Sequence, residues 1–194
     1  MAGYTDDQIK SMVEESDGNE FEDRFTRLKF LISIEGEWFM TAPALATAYY
    51  EEARLCWYNG AFVATIIMAQ LALEELIRSH YRQAGFDMKL HSGKSVDAAS
   101  FAELIDQALS DEYITEEEGK NMHEIRKYRN PYVHIKDAKI KGKKQDLESA
   151  NFITQGLKIY SPELFEISVE DEAKAVLQIM IKLFQNICGR TGGL

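Results

Sequence analysis

The chain has 194 residues, 45% of them hydrophobic and 28% charged, with a net charge of −10. That is the composition of one ordinary soluble globular domain, and the acidic balance argues against adhesion to nucleic acid over the whole surface, because phosphate attraction needs clustered Lys and Arg. No stretch approaches the roughly 18 apolar residues of a membrane span, and the start, Met1 to Asp7, is acidic where a signal peptide would be basic and then apolar, so a cytoplasmic protein with no membrane partner is expected.

Thr5-Asp6-Asp7-Gln8 has the form of a helix-capping box, followed by an apolar stripe of Ile9, Met12 and Val13 that ends before Asp17-Gly18. A second helix is expected from near Asn19, burying Phe21, Phe25, Leu28 and Ile32 at helical spacing and stopping at Gly36. Residues 1–40 thus read as an acidic helical extension, either packed on the domain that follows or used against a partner.

The domain, residues 41–190, opens with a small-residue-rich helix in which Pro43 fits the first turn and Ala44, Ala46, Ala48, Ala53 and Trp57 follow. Asn59-Gly60 breaks it. The next helix spans about Ala61 to Ala84, with Gly85 as its stop, and so short a turn makes the two helices antiparallel neighbours. Ser92-Gly93-Lys94-Ser95 is not a phosphate-binding loop, since it lacks the first glycine five residues before the Gly-Lys pair and no strand precedes it.

Ser100 with Glu103, and Thr115 with Glu118, cap two further helices. His123-Glu124 is not a zincin motif, because Lys127 stands where a second His ligand is required, and His80, His91 and His123 are expected on surfaces. Ser168 with Asp171 starts a last helix, carrying Val176, Leu177, Met180, Leu183, Phe184 and Ile187 and ending at Gly189. Between His134 and that helix lies a long polar connection, residues 137–162, in which a small hairpin about Gln155-Gly156 is expected. Cys56 and Cys188 sit among apolar helical residues and read as small buried hydrophobes. The sum is an all-α bundle of five core helices plus two at the N-terminus.

Chemistry concentrates at Arg129-Asn130-Pro131-Tyr132-Val133-His134. A guanidinium holds a phosphate bidentately, and an imidazole titrating near neutrality moves protons beside it. Charge clusters there as well. From Lys120 to Lys144 nine basic residues face two acidic ones, a net of +7, which leaves −17 on the rest of the chain. A basic segment on an acidic body is the form of a localised polyanion site, with Arg126, Lys127 and Lys136 as its flanking RNA contacts. The structural alternative is an Arg and a His that complement the dipole of a helix end. Pro131 either kinks the helix or starts a new segment, and Glu74 either orients Arg129 across the bundle or is a solvated helix charge.

Over about residues 41–188 these features resemble the HEPN (higher eukaryote and prokaryote nucleotide-binding) domains, whose hallmark is Arg, a polar residue often Asn, a few positions, then His. Gln70-Leu71-Ala72-Leu73-Glu74-Glu75-Leu76 is similar to that family's second helix, and Ser168 to Ala173 to the start of its final one. The resemblance implies an up-and-down bundle of four to five helices that forms a homodimer with a composite active site. It also implies a metal-independent endoribonuclease of a toxin–antitoxin or phage-defence setting, with an antitoxin or other protein as a possible partner, or else a non-catalytic RNA-binding or scaffold module. In the catalytic case His134 is the acid or base, Arg129 the clamp on the phosphorane and Asn130 a positioner. One imidazole serves both proton transfers poorly, so His134 of a second chain is expected to share the task. No cofactor or metal is called for.

Overall fold

The computed structural model describes residues 6–35, 42–83, 89–133 and 168–191. Among these the chain is all-α. The helices are α1 (Asp6–Glu35), α2 (Ala44–Tyr58), α3 (Phe62–Gln83), α4 (Phe101–Ser110), α5 (Glu116–Val133) and α6 (Val169–Thr191), with one 3-10 turn at Val96–Ala98.

Helices α2 and α3 are the antiparallel pair that their small faces demand: Ala46, Ala53, Ala69 and Ala72 are fully buried, which lets the two backbones approach closely. The break between them is local chemistry. Gly60 takes φ +74°, where a Cβ is disfavoured, and the Asn59 side chain donates to the Leu55 carbonyl at 2.9 Å. Pro43 stands at the N-cap, one residue before the first turn. Helix α3 then runs through the middle of the bundle and packs on α2, α5, α6 and α4, with Ile66, Leu73 and Ile77 fully enclosed.

All three caps read from the later sequence are formed. Ser100 and Glu103 bond reciprocally at the start of α4, Thr115 and Glu118 before α5, and Ser168 and Asp171 before α6. The Ser92 to Ser95 stretch is a tight turn, with Gly93 at φ +81° and Lys94 paired to Glu103 at 2.9 Å.

Five expectations are corrected or narrowed. The N-terminal region is one helix, with Gly18 inside it, because a glycine costs a helix only about 1 kcal/mol whereas nucleating a second helix costs more. Phe21, Phe25, Leu28 and Ile32 are not buried: they are 41–64% exposed. The face that meets the body is instead Arg27, Phe30, Leu31 and Ile34, with Phe30 tilted on Trp57 at 5.2 Å and the Trp57 Nε1–H donating to the Arg27 carbonyl at 3.2 Å. Gly189 does not end α6, which continues to Thr191, and Pro131 does not start a new segment, since α5 runs through it to Val133. Cys188 is buried as expected, but Cys56 is only half-buried, its thiol 3.9 Å from Glu52. The expected hairpin and the 137–162 connection lie outside the described residues, as does Gly85. No described helix is long and apolar enough to cross a membrane.

Candidate functional site

Helix α5 carries residues Arg129 to Val133 of the sequence motif on its last turns, and its cap fixes its direction. Glu118 is 5% exposed, accepts the Thr115 backbone N–H at 2.8 Å and the Arg190 guanidinium at 2.9 Å. Burial pushes its carboxyl up, but those two donors outweigh it and hold the group below the usual carboxylate range.

At ~100° per residue, Glu118, Met122, Ile125 and Arg129 fall on one line along α5. The first three are buried, so this line faces the core. Arg129 continues it: the side chain is half-buried, and its Nε is enclosed. Asn130, one residue on, is turned about 100° away and shares a flank with Arg126 and His123. The two motif residues therefore present to different sides of the helix end, Arg129 inward and Asn130 along the flank.

That flank is a small network. An Arg126 Nη1 lies 3.0 Å from His123 Nδ1, and His123 Nε2 faces the Asp106 carboxylate of α4 at 3.7 Å. An arginine only donates, so Nδ1 accepts and the ring's proton sits on Nε2, directed at Asp106. Lys127 is exposed and pairs with Glu124. On the far side of the helix the Tyr132 hydroxyl donates to Glu172 Oε2 at 2.5 Å, tying the end of α5 to the first turn of α6. Burial first, and then that hydrogen bond, push the Tyr132 phenol well above its ordinary range, so it stays a donor.

Of the expected site residues, Arg126, Lys127, Arg129 and Asn130 are thus gathered on the last turns of α5. His134 and Lys136 lie outside the described residues. Glu74 on α3 bonds Arg78 at 2.6 Å, and Arg78 in turn donates to the carbonyls of Val96 and Ala99, so this pair holds the 3-10 turn against α3.

A separate cleft of about 410 Å³ lies between the first turns of α5 and the last turns of α6, lined by Glu117, Glu118, Asn121, Lys182, Asn186 and Arg190 among others. It is about 14–20 Å along α5 from Asn130 at 1.5 Å per residue, and its walls are bridged by Arg190 to Glu118 and by Lys182 to Glu117 at 3.6 Å. Those bridges join two helices, which is an adequate reason for the residues to be there. Among the described residues no group of three or more His, Cys, Asp and Glu side chains is arranged to hold a metal ion.

Sequence reading missed the Tyr132–Glu172 tie and the His123–Arg126–Asp106 network. The i,i+3 spacing of His123 and Arg126 was the available signal for the second; the first joins residues 40 apart and left none. Comparison with protein-family models, with characterised proteins and with solved structures gives no match.

Proposed function

We propose that this chain is a HEPN-like, metal-independent endoribonuclease that cuts single-stranded RNA and leaves a 2′,3′-cyclic phosphate and a 5′-hydroxyl. The observation that carries the proposal is the Arg129-Asn130-x-x-x-His134 pattern inside a +7 segment of an otherwise acidic chain. Support comes from the gathering of Arg126, Lys127, Arg129 and Asn130 on the last turns of one helix, whose end is held to α6 by Tyr132.

The chemistry assigns roles as follows. Arg129 stabilises the charge that builds on the phosphorane, Asn130 orients a phosphate oxygen or the imidazole, and His134 transfers a proton to or from the 2′-oxygen or the leaving 5′-oxygen. A homodimer brings a second His134 for the other transfer. Incubating the protein with end-labelled single-stranded RNA in excess chelator, and analysing the product ends, tests the reaction. Cyclic phosphate ends formed without metal are the expected result, and cleavage that depends on added metal refutes it.

A second reading is a non-catalytic HEPN-like module that binds RNA or another protein. One observation favours it: the exposed apolar stripe of α1, which RNA chemistry does not require. The same assay separates the two, because a module retains labelled RNA uncut.

A further inference from the structure

Helix α1 has two apolar faces, and only one is used. Phe21, Phe25, Leu28 and Ile32 fall within an arc of about 60°, centred about 140° from the line of Arg27, Phe30, Leu31 and Ile34 that faces the body. The stripe is exposed along its length: Phe21 63%, Phe25 50%, Leu28 41% and Ile32 64%. Its order is already set, since Phe21 and Phe25 lie stacked at 6.4 Å and Lys29 Nζ sits 5.5 Å from the Phe25 ring centre.

The spacing of these four is 4, 3 and 4 residues. That is the a/d alternation of a coiled-coil seam, sustained over one and a half heptads. Two exposed charges, Glu22 and Lys29, stand one heptad apart on the flank of the stripe that turns away from the body. In a parallel pair of such helices in register, this flank faces the opposite flank of the second copy, so Glu22 and Lys29 do not meet each other. In an antiparallel pair, Phe21 lies opposite Ile32 of the second copy, Phe25 opposite Leu28, and Glu22 within half a turn of Lys29, twice over by symmetry. The stripe is therefore complementary to itself in one orientation.

We propose that α1 is a homotypic docking helix, pairing antiparallel with α1 of a second copy of this chain through Phe21, Phe25, Leu28 and Ile32, with Glu22 and Lys29 setting the direction. The proposal does not rest on the nuclease reading. The seam is about 17 Å long at 1.5 Å per residue, well short of what buries the ~1,200 Å² of a stable interface, so the association is weak and concentration-dependent.

Sedimentation equilibrium of the full chain tests this at about 1 to 300 µM, the range a small interface requires. Wild type is expected to move from monomer to dimer across it. Phe25→Glu, at an exposed position, should raise the dissociation constant about tenfold or more by setting like charges in the seam, with helix content by circular dichroism unchanged. Glu22→Lys and Lys29→Glu should each weaken association, and the double swap should restore it. The swaps, both at exposed sites, read the same interface even if Phe25→Glu unsettles the helix. A wild type that stays monomeric, or a double swap that fails to restore pairing, overturns the proposal. A dimer that persists in Phe25→Glu also overturns it, while leaving the nuclease reading intact.

Discussion

The hydroxyl of Tyr132 stands 2.5 Å from Glu172, and this contact ties the end of the motif-bearing helix to the first turn of α6. Because a hydrogen bond to a charged acceptor contributes about 1.5–3 kcal/mol, and this one is only partly buried, Tyr132→Phe should cost about 1.5 kcal/mol. At roughly 2–4 °C per kcal/mol for a chain of this size, a thermal midpoint about 3–6 °C lower is expected. If the tie also fixes the site, RNA cleavage should fall with RNA binding retained. A variant with an unchanged midpoint would show that the contact carries no stability.

Glu118 predicts how the fold responds to acid. Its carboxyl titrates below the usual range, so the folded state binds its proton less readily than the unfolded chain does. The stability it supplies is present above the ordinary glutamate pKa and is lost as the pH falls through the folded value. Glu118→Gln should therefore lower stability near neutrality by about 1–2 kcal/mol, through loss of the charge-assisted bonds from Thr115 and Arg190. At acid pH, where wild type is protonated too, the difference should shrink. Denaturant titrations at several pH values check this, and a pH-independent gap between the two proteins would refute it.

Gly119 predicts a packing effect. A Cβ there would lie 2.9 Å from both Leu109 methyl carbons and 3.0 Å from Leu109 Cγ, so the Leu109 side chain of α4 would have to shift to admit one. Alanine is the better helix former by about 1 kcal/mol, but overpacking against a neighbouring side chain costs about 1–3 kcal/mol. Gly119→Ala should come out destabilised by about 1 kcal/mol. Gly18, with open space around it, is the control: there alanine should stabilise. Chemical denaturation of both variants decides, and stabilisation at both positions would mean that the helices part freely.

What the sequence made legible follows the range of the interaction involved. The caps at Ser100, Thr115 and Ser168 and the break at Asn59-Gly60 depend on residues within four positions of one another, and each is formed as read. The face of α1 was misread for a related reason: spacing tells which residues share a face, but not which of two apolar faces meets the body. Gly18 and Gly189 were taken as stops because a glycine weakens a helix, but both helices continue past them. In the candidate site, Arg126, Lys127, Arg129 and Asn130 are on one helix end as expected, whereas the inward turn of Arg129 emerges only from the buried line of Met122 and Ile125.

The nuclease proposal separates its residues by kinetic signature. Under it His134 is the proton-transfer group and adds little to phosphate attraction, so His134→Ala should lower the cleavage rate by about 10²- to 10⁴-fold while most RNA binding survives. Arg129 carries a charge that attracts the ground state and stabilises the transition state alike, so Arg129→Ala should weaken both binding and rate. Lys127 is exposed, and the proposal gives it attraction alone, so Lys127→Ala should weaken binding and leave the rate at saturating RNA unchanged. Binding through a local basic segment also releases counterions, so affinity should fall steeply between about 50 and 200 mM salt, and less steeply in Lys127→Ala. Single-turnover cleavage in chelator, together with filter binding at each salt concentration, measures all of these. Cleavage that survives His134→Ala unchanged would leave the RNA- or protein-binding module as the better account of the Arg129 to His134 segment.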